Sequence, residues 1–170
     1  SGYMLESALE AGLISAGCDV ILTGPIPTPA LGYLTKTLRA DLGVVISASH
    51  NPYFDNGIKL ILPDGNKLSR EITDKLEHFL YQPLQMSPRV ILGKASRLSG
   101  AMERYIELCK SKIATSRDLS GMKIVLDCAN GATYQIAPAV FRELNADITV
   151  IHASPDGVNI NAECGSTNPR

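Results

Sequence analysis

The sequence predicts an α/β protein made of two small domains, each a mixed, largely parallel sheet packed by helices. Three observations carry this. Apolar residues at helical spacing alternate with short aliphatic runs, a Pro- and Gly-bearing stretch then interrupts the alternation, and the pattern restarts beyond it. The boundary this implies lies near residue 95, dividing the chain into residues 1–95 and 96–170.

The elements follow in order. Leu5, Ala8, Leu9, Gly12, Leu13 and Ala16 share one face of a helix that Gly17 stops, and Cys18 to Leu22 is a short strand. Thr23 to Pro29 is a rigid turn, because its three prolines cannot join a sheet ladder. Thr28 is the expected N-cap, with Pro29 at the first helical position, of a helix reaching about Arg39. Leu42 to Ile46 is a second aliphatic strand, and Ser47 to Asn56 a polar loop leaving its carboxyl end, where open α/β sheets place ligands. Ile58 to Leu62, the turn at Pro63 to Asn66 and Lys67-Leu68 form a hairpin. Ser69 caps a helix with Ile72, Leu76, Phe79 and Leu80 inward, and Tyr81 to Ser96 is a linker or edge segment.

Beyond it, Leu98, Ala101, Met102, Tyr105, Ile106, Cys109 and Ile113 define an amphipathic helix. Met122 to Asp127 is a strand and Asn130-Gly131 a turn. Ile136 to Leu144 is a helix that tolerates Pro138 in its first turn, and Ile148 to Ile151 closes a second βαβ unit.

Composition narrows the function classes. The 170 residues are 45% hydrophobic and carry a net charge of −1, without a basic stripe. Nucleic acid and anionic membranes are therefore poor partners, and an anionic substrate needs a local charge cluster. No apolar run is long enough to span a bilayer. Cys18, Cys109, Cys128 and Cys164 form no Cys-x-x-Cys pair, and three lie in apolar segments where a buried thiol is ordinary, so a reducing cytoplasm is the expected compartment. Both ends read as cut.

The chemistry is expected in Ser47-Ala48-Ser49-His50-Asn51-Pro52. A loop hydroxyl takes part in phosphoryl transfer if a proton acceptor, a cation and a fixed direction accompany it. His50 and Lys59 are candidates for proton work, and Pro52 restricts Asn51 to extended geometry. A lone Ser-His pair in such a string is otherwise a simple turn. What favours chemistry is its continuation, Tyr53-Phe54-Asp55-Asn56-Gly57-Ile58-Lys59.

Together these strings resemble the active-site signature of the α-D-phosphohexomutases, which move a phosphoryl group between O1 and O6 of a hexose. Supporting strings are Ser1 to Glu6, Gly24 to Pro29, Arg104 to Glu107, Asp127 to Ala132, Asn159-Ile160-Asn161 and Cys164 to Thr167. The wording is more similar to the phosphoglucosamine mutase branch than to the phosphomannomutase or phosphoglucomutase branches. Asn168 departs from that pattern, where His is expected.

The resemblance implies a phosphohexomutase-like fold and a phosphoryl group on Ser49, passed to a hexosamine phosphate through a sugar 1,6-bisphosphate. Glucosamine 6-phosphate would become glucosamine 1-phosphate, feeding UDP-N-acetylglucosamine and peptidoglycan; a mannose or glucose phosphate is the alternative substrate. Mg²⁺ would bind the phosphate on Ser49, with its other ligands in an Asp-Gly-Asp-x-Asp-Arg loop absent from these 170 residues. The sugar-recognition and C-terminal phosphate loops are absent too, so the span alone is expected to be inactive, and a non-catalytic folding or interaction module is the reading from a different class. A homodimer is the oligomer considered.

Lys59 would act near the reacting hydroxyl as acid/base or charge stabiliser. Nearby phosphate opposes the lowered pKa a base needs, which favours charge stabilisation; otherwise Lys59 is a snorkelling surface lysine. His50 would orient Ser49 or stabilise the turn, and Asn51 would fix the loop. His78 and His152 lack a companion motif, and the Asp127 to Ala132 stretch is expected to be a connection without a catalytic role.

Overall fold

The computed structural model describes residues 2–83, 91–113 and 118–168. Among the described residues there are five helices and six strands, in the order α1 (Gly2–Ser15), β1 (Val20–Leu22), α2 (Thr28–Thr37), β2 (Gly43–Ser47), β3 (Gly57–Ile61), α3 (Arg70–Leu80), β4 (Ala95–Arg97), α4 (Ala101–Ser111), β5 (Lys123–Asp127), α5 (Ile136–Glu143) and β6 (Asp147–Ile151). The α/β class is as expected. The strands form three pairs, β1 with β4 and β5 with β6 parallel, β2 with β3 antiparallel. β4 falls in the expected linker or edge segment and extends β1, returning the chain to its first elements. Part of that segment, 84–90, lies outside the described residues.

α2 is the best-buried helix of the first half. Ala30 and Leu34 are buried as α2 packs on β2, β3 and α4, and the buried Thr35 hydroxyl donates to the Leu31 carbonyl at 2.8 Å, so it is not stranded. The second half closes β5–α5–β6 as a parallel unit, with Ile106 of α4 and Ile136 and Val140 of α5 at its core. Ile26, from the proline-rich turn, packs on that cluster and joins the halves.

Four local expectations change. Pro27, not Thr28, occupies the N-cap of α2, with no side-chain cap, because a proline fits the second helical position as readily as the first. The Lys67-Leu68 hairpin arm shrinks to a single bridge, Ile61 with Lys67. Ser69 does cap α3, its hydroxyl accepting from the Ile72 amide at 3.4 Å, yet Ile72, Leu76, Phe79 and Leu80 are exposed and α3 buries no residue. Cys18 is exposed, while Cys128 and Cys164 are buried. Among the described residues no helix is long and apolar enough to cross a membrane.

Candidate active site

β2 delivers the polar loop. Its antiparallel register with β3 sets Ser47 opposite Gly57 and Val45 opposite Lys59, so Ser47 and Lys59 lie on one face of the pair. After Ser47 the chain turns sharply. The Ser49 amide donates to Ser47 Oγ at 3.0 Å, and the Asn51 amide closes the turn on the Ala48 carbonyl at 2.9 Å. Ser49 takes φ +58°, a left-handed conformation that a serine adopts only where its surroundings impose it. Ala48 is buried while Ser49 and His50 are exposed, so the turn lifts the hydroxyl into solvent above a fixed base.

His50 Nδ1 stands 3.5 Å from Ser49 Oγ, adjacent but too far for a firm hydrogen bond. Asn51 Nδ2 donates to Asp55 Oδ2 at 2.6 Å, and the Asp55 amide donates to the Pro52 carbonyl at 3.0 Å, which cinches the outer loop. Lys59 is half-buried on β3, and no carboxylate among the described residues forms an ion pair with it. The structure thus gathers Ser49, His50 and Asn51 on one turn, with Lys59 on the strand the loop leads into.

It also brings in residues to which the sequence reading assigned no role. Asp127, at the end of β5, accepts the Ala129 amide on Oδ1 and the Gly165 amide on Oδ2, both at 2.8 Å. His152, at the end of β6, sets Nδ1 3.1 Å from Asp127 Oδ1, so it does have a companion. Burial pushes the Asp127 carboxyl up, but the two amides and the imidazole outweigh it and hold the group below the usual carboxylate range. Asn161, on the following loop, donates from Nδ2 to the carbonyls of Ser49 and Asn51 at 3.0 and 2.9 Å. Left-handed φ values gather here: Ser49, Ala129, Asn130, His152, Asn161 and Glu163 are all non-glycine residues in that region. The signal available beforehand was the presence of Asn159-Ile160-Asn161 among the family-like strings, which carried no hint of a contact.

Asp127, His152 and Cys164 hold ligand atoms within 4.8 Å of one another. That set does not suit Mg²⁺, which takes oxygen ligands, and both Asp127 oxygens already accept backbone amides.

Comparison with known proteins gives this geometry a family. Residues 1–85 match the description phosphoglucomutase/phosphomannomutase, alpha/beta/alpha domain I. The chain is 58% identical over 168 residues to the phosphoglucosamine mutase of Pseudomonas entomophila strain L48, covering 99% of this chain and 38% of that protein. The phosphoglucosamine mutase of Edwardsiella ictaluri strain 93-146 is 59% identical over 170 residues, again 38% of its length. The chain therefore spans well under half of these curated relatives. In structure it is similar to a phosphoglucomutase/phosphomannomutase family protein from Burkholderia thailandensis, with a TM-score of 0.73 and 26% identity over 92% of this chain and 34% of that one. The chain belongs to the phosphoglucomutase/phosphomannomutase family.

Proposed function

We propose that the complete protein is a phosphoglucosamine mutase and that Ser49 is its phosphoryl carrier. The observation that carries this is the exposed Ser49 hydroxyl on a left-handed turn at the carboxyl end of β2, inside the family-matched segment. The high identity to proteins named phosphoglucosamine mutase supports the hexosamine 6-phosphate substrate over a mannose or glucose phosphate.

In the first transfer the substrate hydroxyl oxygen forms a bond to phosphorus and releases its proton, while the bond from phosphorus to Ser49 Oγ breaks. The serine oxygen takes up a proton. With the sugar bisphosphate turned over, the reverse step returns the other phosphoryl group to Ser49. Lys59 stabilises charge on the moving phosphoryl group from the shared face of β2 and β3. His50, beside the hydroxyl, orients it and holds or releases a proton at Nδ1. Asn51 braces the loop through Asp55. Mg²⁺, when bound, spreads charge on the phosphate; its protein ligands are assigned outside residues 1–170, and the division into domains near residue 95 belongs to the same reading.

The test uses the complete gene product. Mass spectrometry is expected to find phosphate on Ser49, and Ser49→Ala to abolish interconversion of the hexosamine phosphates. Full activity of Ser49→Ala, with Ser49 always unmodified, would refute the mechanism. Competition among glucosamine, mannose and glucose 6-phosphates reads the sugar preference separately.

A further inference from the structure

The turn that presents Ser49 is held from the far end of the chain. Asn161 Nδ2 donates to the Ser49 and Asn51 carbonyls across 112 and 110 residues of sequence. Both neighbours are acceptors, so the NH₂ end of the amide must face them, one hydrogen to each. These carbonyls bracket His50, and the first belongs to Ser49 itself, whose φ is left-handed. Fixing both holds the Ser49–His50 and Asn51–Pro52 peptide planes, and with them the backbone that carries Ser49 Oγ.

Asn161 is itself anchored. It is half-buried, at φ +57°, and its amide donates to the Ala129 carbonyl at 2.9 Å. The Ala129 amide in turn donates to Asp127 at the end of β5. A chain of hydrogen bonds, linked through the backbone of Ala129 and Asn161, therefore runs from the end of β5 in the second half to the serine turn of the first. A surface contact that merely joined the halves would not need to converge both amide hydrogens on the backbone of the reacting turn.

We propose that Asn161 is a positioning residue for phosphoryl transfer, pinning the Ser49 turn so that the hydroxyl, or its phosphate, points at the substrate. This rests on the reading of Ser49 as phosphoryl carrier. It is a separate claim, because the turn could carry phosphate without being aimed from the second half.

Two variants of the complete gene product test it. Asn161→Gly keeps the left-handed backbone without steric cost and retains the bond to Ala129, so it removes only the clamp. Asn161→Asp keeps the shape but replaces the donor with a carboxylate facing two carbonyl oxygens. Loss of aim is expected to lower kcat about 10- to 100-fold in Asn161→Gly, and further in Asn161→Asp. KM for the hexose phosphate should stay within about threefold, since substrate binding is not touched. The rate at which the sugar bisphosphate phosphorylates Ser49, followed by mass spectrometry, should fall by the same factor as kcat. The proposal is overturned by kcat within twofold (about 0.4 kcal/mol) of wild type, by a rise in KM alone, or by activity lost only in step with the folded fraction. Failure of both variants to fold also overturns it, by making Asn161 a structural residue. Ser49→Ala is the separate control: if it stays active the carrier reading fails, whereas an inactive Ser49→Ala beside an unimpaired Asn161→Gly sinks the clamp alone.

Discussion

Gly165 stands where the candidate site tolerates least change. It holds φ +77°, and its amide donates to Asp127 Oδ2. A Cβ at this position would lie 2.8 Å from the Ala129 Cβ, where carbon atoms in ordinary contact sit about 3.5–4.0 Å apart. Gly165→Ala therefore combines two costs: about 1–2 kcal/mol for a left-handed alanine and about 1–3 kcal/mol for overpacking. Together they amount to about 2–5 kcal/mol of local stability. Gly157 separates the two. It has φ +95° with nothing within 4 Å of an added Cβ, so Gly157→Ala should cost only the backbone part, about 1–2 kcal/mol. Gly12, inside α1 at the start of its last turn with open space around its Cβ position, has the opposite sign: Gly12→Ala should stabilise by about 0.5–1 kcal/mol. Hydrogen exchange of the complete protein, read segment by segment, is the assay. Exchange over residues 127–131 and 161–168 should quicken roughly 30- to 4000-fold in Gly165→Ala, at about 1.4 kcal/mol per factor of ten. The reasoning is refuted if Gly165→Ala and Gly157→Ala lose equal protection, because the Ala129 contact would then contribute nothing.

Two further outcomes follow from the same network. Because its folded pKa is held down, Asp127 contributes stability that is present above the ordinary carboxylate range and is lost as pH falls through the lowered value. The stability gap between wild type and Asp127→Asn should therefore narrow on acidification below about pH 4, and a gap that widens in acid urea titrations would contradict this. Cys18 is exposed, whereas Cys164 is 1% exposed and Cys128 4%; burial pushes both buried thiols up, with the Asp127 charge adding to it. A thiol reagent mapped by mass spectrometry should label Cys18 in the native protein and reach Cys128 and Cys164 only on unfolding; equal labelling would show that the β5 end is open.

Much of the fold was readable from local pattern. The alternation of aliphatic runs with helical faces located β2, α4, β5, α5 and β6, because burial on one side of a helix or strand imprints a period on sequence. Ser69 announced its cap because capping needs only an oxygen near the first turn. Where the reading slipped, a local signal admitted more than one outcome. Proline suits either of the first helical positions, and the apolar stripe on α3 reports amphipathy without reporting what, if anything, covers it.

The sequence by itself determined the α/β class, the order of elements and the serine loop, since each is written in residues close together in the chain. Only the tertiary structure decided that Asn161 reaches the Ser49 turn, that Gly165 and His152 meet on Asp127, and that β4 returns to β1. Those contacts join residues from 25 to more than 100 positions apart. An amide or a carboxylate carries no mark in sequence of the distant backbone group it will satisfy, because that partner exists for it only once both strand ends have been packed side by side.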